Sequence, residues 1–435
     1  MKRSALSLLT TRRFAPLFGV QFLGAMNDNL FRASVIMLIT YRLAEGIGIP
    51  AGVLNNAALA LFILPYLLFS ALAGQLADKY DKAPQVRWIK LWEVLLMLTG
   101  ALALHLENIV LMLAVLFGLG LQSTFFGPIK YAVMPEQLDR RELLAGNALI
   151  EAGTFLAILL GTIIGGLLVL RTGGGMMVSA LTIGAAVAGL GLAGLMPRHH
   201  GAAPGLRVRR NVVASTRDQL VAAFTHPIAR PAILGISWIW LFGSLYLTQI
   251  PVVTKDHLGG NEQVVTLILS VFSIGIGAGA LASNRLLKGA ISARLVAPGL
   301  LVLLAASGAL YVSVPPPRAS ADLMGLVAFL AEPLGWGYLA LFLLIAAAGG
   351  SVIVPLYAIL QDRSDDTARS RMIAANNVVN SLFMAGGSLV AAWAVGMGAA
   401  ALDVLAAAGL VNLLMLYPAL RLDGRLSLER ATGRP

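Results

Sequence analysis

Twelve apolar stretches, each long enough to cross a bilayer, follow one another along this chain. They lie at about 14–41, 51–77, 88–106, 108–134, 145–170 and 176–196, then at about 231–254, 262–284, 292–314, 337–360, 372–395 and 398–420. A membrane-spanning helix needs about 20 predominantly apolar residues. A backbone inside hydrocarbon must satisfy its own hydrogen bonds, so runs of this length fold as helices. The pattern predicts an all-α membrane protein of twelve transmembrane helices in two six-helix bundles, 1–196 and 231–435, the second with a short cytoplasmic tail. A polar, basic cytoplasmic linker, 197–230, joins them. The longest outer loop is expected at 315–336, with a short interfacial helix near 323–330.

Composition excludes the competing classes. Of 435 residues, 58% are hydrophobic and 12% charged, against roughly 25% charged in an ordinary soluble domain. Such a chain cannot cover its own surface in water. With no Cys there is no disulfide scaffold. The basic N-terminus precedes an apolar run too long for a signal-peptide core, so a retained first helix is expected. The net charge of +11 would suggest nucleic acid in a soluble protein. Here it reads as topology, and no nucleic-acid partner is expected. With both termini on one side, the linker and even-to-odd loops on that side collect 26 of the 32 Lys and Arg, Lys90 among them, and the other side four. Arg32 and Lys130 fall inside helices. Basic residues mark the cytoplasmic side, so both termini are expected there in a multi-pass protein.

The two halves resemble each other. Gly74-Gln75-Leu76-Ala77-Asp78 ends the second stretch, and Gly279-Ala280-Leu281-Ala282-Ser283 ends the eighth. Tyr131-Ala132-Val133 followed by Asn147 and Glu151 matches Tyr357-Ala358-Ile359 followed by Asn376 and Asn380. Duplicated halves facing a midplane site are a transporter architecture.

Polar residues inside the apolar runs are the candidate substrate site, because intramembrane charges are expensive and tend to be functional. The first stretch carries Gln21, Asn27, Asp28, Asn29 and Arg32. Asp28 and Arg32, at i,i+4, can meet. Either the two neutralise each other or bond to a neighbouring helix, or Asp28 reaches a cationic substrate group or a basic partner that moves during transport. Lys130, beside Tyr131, follows a Gly127-Pro128 pair expected to interrupt or kink the fourth helix. It either snorkels to the interface or holds a phosphate. Asn147 and Glu151 share one face of the fifth helix, as Asn376 and Asn380 share one of the eleventh; packing and substrate contact are both open to the asparagines. Trp238 and Trp240 read as packing or lipid-facing aromatics, His199 and His200 as solvated, and the glycines at 161–166 as close helix packing. No catalytic constellation, metal cluster or cofactor loop stands out, so neither an enzyme nor a cofactor is expected.

Residues 74–82, with Arg87, resemble the cytoplasmic loop of the major facilitator superfamily, G-x-L-a-D-[RK]-x-G-[RK]-[RK]. Gly74, Asp78, Lys79, Lys82 and Arg87 are the candidate gating residues. Gly74 would let two helices approach; Asp78 would cap a helix or pair with a cation. Asp81 stands where the pattern has its second Gly, and Asp tolerates a left-handed backbone.

Gln21–Arg32, the 74–82 loop, Phe126-Gly127-Pro128-Ile129-Lys130-Tyr131 and the segment from Asn147 to Thr154 resemble bacterial lysophospholipid transporters. The likeness is closest to the transporter portion of proteins fused to an acyltransferase. It implies a lysophospholipid substrate, with lysophosphatidylethanolamine the expected one, flipped from outer to inner leaflet of the bacterial inner membrane for re-acylation. A functional link to a separate acyltransferase is expected. Asp28 and Glu151 would take the ammonium, Lys130 and Arg32 the phosphate. The sequence departs from the family in having no Lys or Arg at 231–253. The alternative function is a proton-coupled exporter of amphipathic drugs or other small solutes.

Overall fold

A computed structural model describes residues 5–43, 51–316 and 323–432. Among the described residues, a 3-10 turn, Ala5–Thr10, leads into fourteen α-helices. These are α1 (Ala15–Leu38), α2 (Ala51–Lys79), α3 (Lys82–His105), α4 (Ile109–Gln137), α5 (Leu143–Leu168), α6 (Gly174–Gly194) and the linker helix α7 (Val212–Thr225). Then come α8 (Ala229–Asp256), α9 (Glu262–Leu286), α10 (Val296–Ser313), the short α11 (Leu326–Ala331), α12 (Pro333–Arg363), α13 (Arg369–Gly396) and α14 (Ala401–Thr432).

Among the described residues, eleven helices are long and apolar enough to cross a membrane. The twelfth long helix is α1. Its 24 residues include the Gln21, Asn27, Asp28, Asn29 and Arg32 set, which lowers its apolarity below that of the rest. Several helices outrun their apolar stretches. α14 continues through Arg421 and Arg425 to Thr432, because long charged side chains favour helix as much as Leu does. α4 runs unbroken through Gly127-Pro128, so Lys130 lies well before its end, correcting the expected interruption. The short helix expected near 323–330 is α11, Leu326–Ala331; of the loop expected at 315–336, residues 317–322 lie outside the described residues.

Two compact units can be distinguished. One holds residues within 1–140, 156–226 and 361–381; the other 141–155, 227–360 and 382–435. The boundaries at 155/156 and 381/382 fall inside α5 and α13, the fifth helix of each half; that at 360/361 falls near the end of α12, and the other two lie between helices.

In the first unit, α1 lies against the second part of α5 through glycines one turn apart. A Cβ at Gly161 would overlap Met26 O and meet Leu30 N at 2.9 Å, and one at Gly165 would overlap Leu30 O. The Ser34 hydroxyl, which donates to Leu30 O at 2.9 Å, also reaches Gly165 O at 3.3 Å. With lipid as apolar as any side chain, such backbone approach is what drives helices together. Leu30, Phe31, Val35, Met97, Met112 and Leu116 fill the apolar core beside it. In the second unit, Gly279 of α9 abuts Ala347 O, and Gly350 of α12 abuts Ile276 O. Trp238 is buried and donates to Asn412 Oδ1 at 2.9 Å. Trp240 donates to the Tyr357 hydroxyl at 2.9 Å and stacks on Phe155 at 5.7 Å. Both tryptophans therefore pack inside the protein.

Candidate functional site

The polar residues of α1 meet a second set, on α3 and α4, that the sequence reading passed over. Glu93 of α3 is fully buried and accepts three hydrogen bonds. Lys90 Nζ donates to Oε2 at 2.5 Å, Gln122 Nε2 to Oε2 at 2.8 Å, and Asn27 Nδ2 to Oε1 at 3.0 Å. The carboxylate thus joins α1, α3 and α4. Lys90 is 1% exposed. Its ammonium lies 5.6 Å from the centre of the Phe126 ring, a favourable cation–π distance. Gly24 makes its space: a Cβ there would stand 2.6 Å from Nζ. Lys90 is therefore a buried residue of α3 and not one of the cytoplasmic-loop cations among which the sequence counts it. α3 begins at Lys82 rather than near 88, so Lys90 lies two turns inside it. The signal was an opposite-charge pair at i,i+3, 90 and 93, in a helix otherwise apolar beyond it.

One residue along from Asn27 on α1 and from Gln122 on α4, a second contact forms. Ser123, next to Gln122, donates its hydroxyl to Asp28 Oδ2 at 2.7 Å. Asp28 is 8% exposed, and its Oδ1 is buried with no hydrogen-bond partner among the described residues. Asn27 Oδ1 is in the same condition. Glu93 and Lys90 neutralise each other; Asp28 has one hydroxyl. A buried carboxylate oxygen without a donor is costly, and a donor or cation brought to it would be bound.

Asp28 and Arg32, placed to meet at i,i+4, make no direct hydrogen bond or ion pair. Arg32 bonds to Asn29 Oδ1 and lies 5.3 Å from the centre of the Phe62 ring. Asn29 itself donates to Ala25 O at 2.7 Å. Lys130, two turns beyond Ser123 on α4, is half-buried with its ammonium 4.7 Å from the Tyr131 ring centre; Tyr131 is buried. Asn376 is fully buried, and its amide has no hydrogen bond among the described residues. Asn377 beside it lies over Gly127 of α4, where a Cβ would come within 2.8 Å of Nδ2. Asn380 is half-buried. Asn147 and Glu151 belong to the other unit and are buried there. Asn147 donates to Leu143 O one turn back at 2.9 Å. Among the described residues no three His, Asp or Glu side chains gather as metal ligands would.

The 74–82 loop forms a separate constellation. Asp78, fully buried at the end of α2, accepts from Ser370 N at 2.8 Å and Arg371 N at 3.2 Å, the first turn of α13. Arg371 Nε adds a charged bond at 2.9 Å. Asp78 therefore caps, from another helix, donors that have no partner within α13. Gly74 permits the approach, since a Cβ there would meet Ala374 Cβ at 2.6 Å and Arg371 Cα at 2.9 Å. The loop's basic residues turn elsewhere. Lys82 is buried against Glu136 of α4 at 2.5 Å, and Arg87 reaches Gly194 O at the end of α6 at 3.0 Å. Lys79 lies 5.5 Å from the Tyr80 ring centre. Asp81 is not left-handed: at φ −55° and ψ 127° it caps α3, accepting from Ala83 N at 3.0 Å. Arg140, after α4, makes a two-pronged bond to Asp362 at 2.6 and 2.8 Å; the carboxylate holds that guanidinium's pKa above its ordinary value.

The sequence model of the Major Facilitator Superfamily matches residues 17–388. The chain belongs to that superfamily. Its fold is the superfamily's twelve helices in two pseudo-symmetric six-helix bundles. It superimposes on the human organic anion transporter MFSD10 (TETRAN) with a TM-score of 0.72 at 15% identity, covering 93% of this chain and 99% of that one. Against the transporter FucP in the outward conformation the TM-score is 0.68 at 12% identity, covering 94% and 98%. At such identities the likeness concerns the fold alone. In sequence the chain is 26% identical over 365 residues to the lysophospholipid transporter LplT of Serratia proteamaculans (strain 568), covering 83% of each. It is 27% identical over 376 residues to LplT of Cronobacter sakazakii (strain ATCC BAA-894), covering 85% of this chain and 84% of that one. The superfamily places the protein among membrane transporters rather than enzymes.

Proposed function

We propose that this transporter flips lysophospholipids, lysophosphatidylethanolamine foremost, from the outer to the inner leaflet of a bacterial inner membrane by alternating access. The observation that carries the reading is the similarity across most of both chains to proteins named lysophospholipid transporters. The buried Asp28 Oδ1 supplies its chemical anchor. The ethanolamine ammonium donates to that oxygen. Lys130 and Arg32 attract the phosphate as point charge and planar fork. Glu151 is a second acidic anchor, and Asn27, Asn29, Tyr131, Asn147, Asn376 and Asn380 are neutral contacts to the headgroup. Residues 1–196 and 231–435 rock about this site, joined by 197–230 with both termini cytoplasmic. The Asp78 contact with α13, together with Gly74, Lys79, Lys82 and Arg87, forms the gate, and opening to the cytoplasm breaks it. A separate acyltransferase consumes the delivered lysolipid.

Reconstitution tests the reading. Labelled lysophosphatidylethanolamine should cross proteoliposome bilayers faster than in protein-free vesicles, and faster than a headgroup lacking the ammonium. The flux should persist when a protonophore collapses the proton gradient. Export of an amphipathic cation that stops with the gradient, without lysolipid movement, would establish the drug-exporter reading instead.

A further inference from the structure

The linker helix α7 has two unlike faces. Its inner face is fixed to α2. Gln75 Nε2 donates to Ser215 Oγ at 2.7 Å, Gln219 Nε2 donates to Ala71 O at 2.9 Å, and the backbone N–H of Arg209 donates to Gln75 Oε1 at 2.8 Å. Ser215 and Ala223 are buried on this side. The two rungs set the direction of the helix. The later residue of α7 meets the earlier residue of α2, so the helices are antiparallel. The second half of α7 therefore lies alongside the apolar part of α2, towards Leu68, and its start lies towards the charged end at Asp78 and Lys79.

The outer face is exposed and apolar in just the wrong places for water. Val213 is 81% exposed, Val221 55% and Phe224 37%. With the exposed Arg217 they are spaced four, four and three residues apart, one stripe of an α-helix. Before the helix stand Arg207, Arg209 and Arg210, all exposed. From 197 to 230 the only carboxylate is Asp218. Arg209 and Arg217 share it at 2.5 and 3.7 Å, so a single acid accompanies the six arginines of the stretch. Cations at the outer end of a helix and exposed apolar side chains along its descending face match the layering of headgroups over acyl chains. Guanidinium forks bind phosphate oxygens in pairs.

We propose that this face of α7, with Arg207, Arg209 and Arg210, is a docking surface for anionic phospholipids of the adjoining leaflet. A face turned to bulk water would have no use for Val213, Val221 and Phe224, whereas an interfacial one buries them. The surface also bears on the gate region, because Gln75 holds α7 one turn before Asp78 on α2.

Lipid contact, rather than transport, tests this, so the result is independent of the lysophospholipid reading. The chain has no Cys, and Thr225→Cys places one fluorescent label beside Phe224. Nanodiscs would carry equal fractions of spin-labelled phosphatidylglycerol or spin-labelled phosphatidylcholine in a mixed bilayer. Both lipids should quench the label, phosphatidylglycerol about twofold or more strongly, as enrichment by a polybasic segment requires. Replacing Arg207, Arg209, Arg210 and Arg217 by Gln should abolish the preference and leave the thermal midpoint unchanged. High salt should weaken it in the parent. Equal quenching by the two lipids in the parent would overturn the anionic docking surface. Absence of quenching by either would place the face in water and overturn it as well.

Discussion

Glu93 is the side chain on which the first-unit cluster turns, and its energetics are those of a buried ion pair. Removing one partner leaves the other charge uncompensated, a loss of about 3–5 kcal/mol. Glu93→Gln should therefore lower the midpoint of thermal unfolding in detergent sharply, and Lys90→Met by a comparable amount. The double variant Lys90→Met/Glu93→Gln should recover much of the loss, since neither charge of the pair then remains and the amide oxygen still accepts from Asn27 and Gln122. Additive losses in that cycle would show that the two residues do not act as a pair. Asp28 belongs to another regime. Among the described residues its one hydrogen bond is from the Ser123 hydroxyl, and Asp28→Asn retains an oxygen for that hydroxyl, so the midpoint should move little. The sequence displayed Asp28 plainly, as a charge deep in an apolar run. It hid Lys90 because the residue lies at the rim of its apolar stretch, where a lysine ordinarily snorkels to the interface. Only the helix start at Lys82 moves it inside. Taking Lys90 out of the 26 basic residues leaves the topological imbalance intact.

Helices were legible from apolar length, their neighbours less so. Which glycine marks a packing seam depends on the face it occupies, and a glycine-rich run does not reveal that. Gly161 and Gly165 lie against the backbone of α1, whereas a Cβ at Gly166 would meet nothing within 4 Å. Gly161→Val should reduce the folded yield severely, because neither Met26 O nor Leu30 N can move without α1. Gly166→Val should be near neutral. Size-exclusion profiles and unfolding midpoints of the two variants check this pair. At Asp81 the family pattern points to a left-handed glycine position, whereas the carboxylate that stands there caps α3. At the end of α2, Asp78→Asn keeps an acceptor for Ser370 N and loses the charge facing Arg371. A capping contact of this kind contributes about 0.5–2 kcal/mol. The variant should insert and fold normally but transport more slowly, and populate the cytoplasm-open state more. Normal rates together with normal conformational populations, read by spin-label distances, would remove Asp78 from the gate.

At the scale of the whole molecule, duplication made the architecture readable: six stretches, a basic linker, six more, with matching segments in each half. What the sequence could not supply was convergence. Asn27, Asp28, Glu93, Gln122 and Ser123 come from three helices and meet because α1, α3 and α4 pack together, a tertiary fact without a local signature. Transport by the intact protein is where these levels join. The most direct measurement is the initial rate of lysophosphatidylethanolamine flipping in proteoliposomes, comparing the parent with Asp28→Asn at equal reconstituted, folded protein. Rapid flipping by the parent and a loss of about tenfold or more in the variant, equivalent to about 1.4 kcal/mol or more of headgroup interaction, is the expected result. Equal rates for both proteins would contradict the assignment of Asp28 to the headgroup, and no flipping by the parent would contradict the transport of lysophospholipid itself.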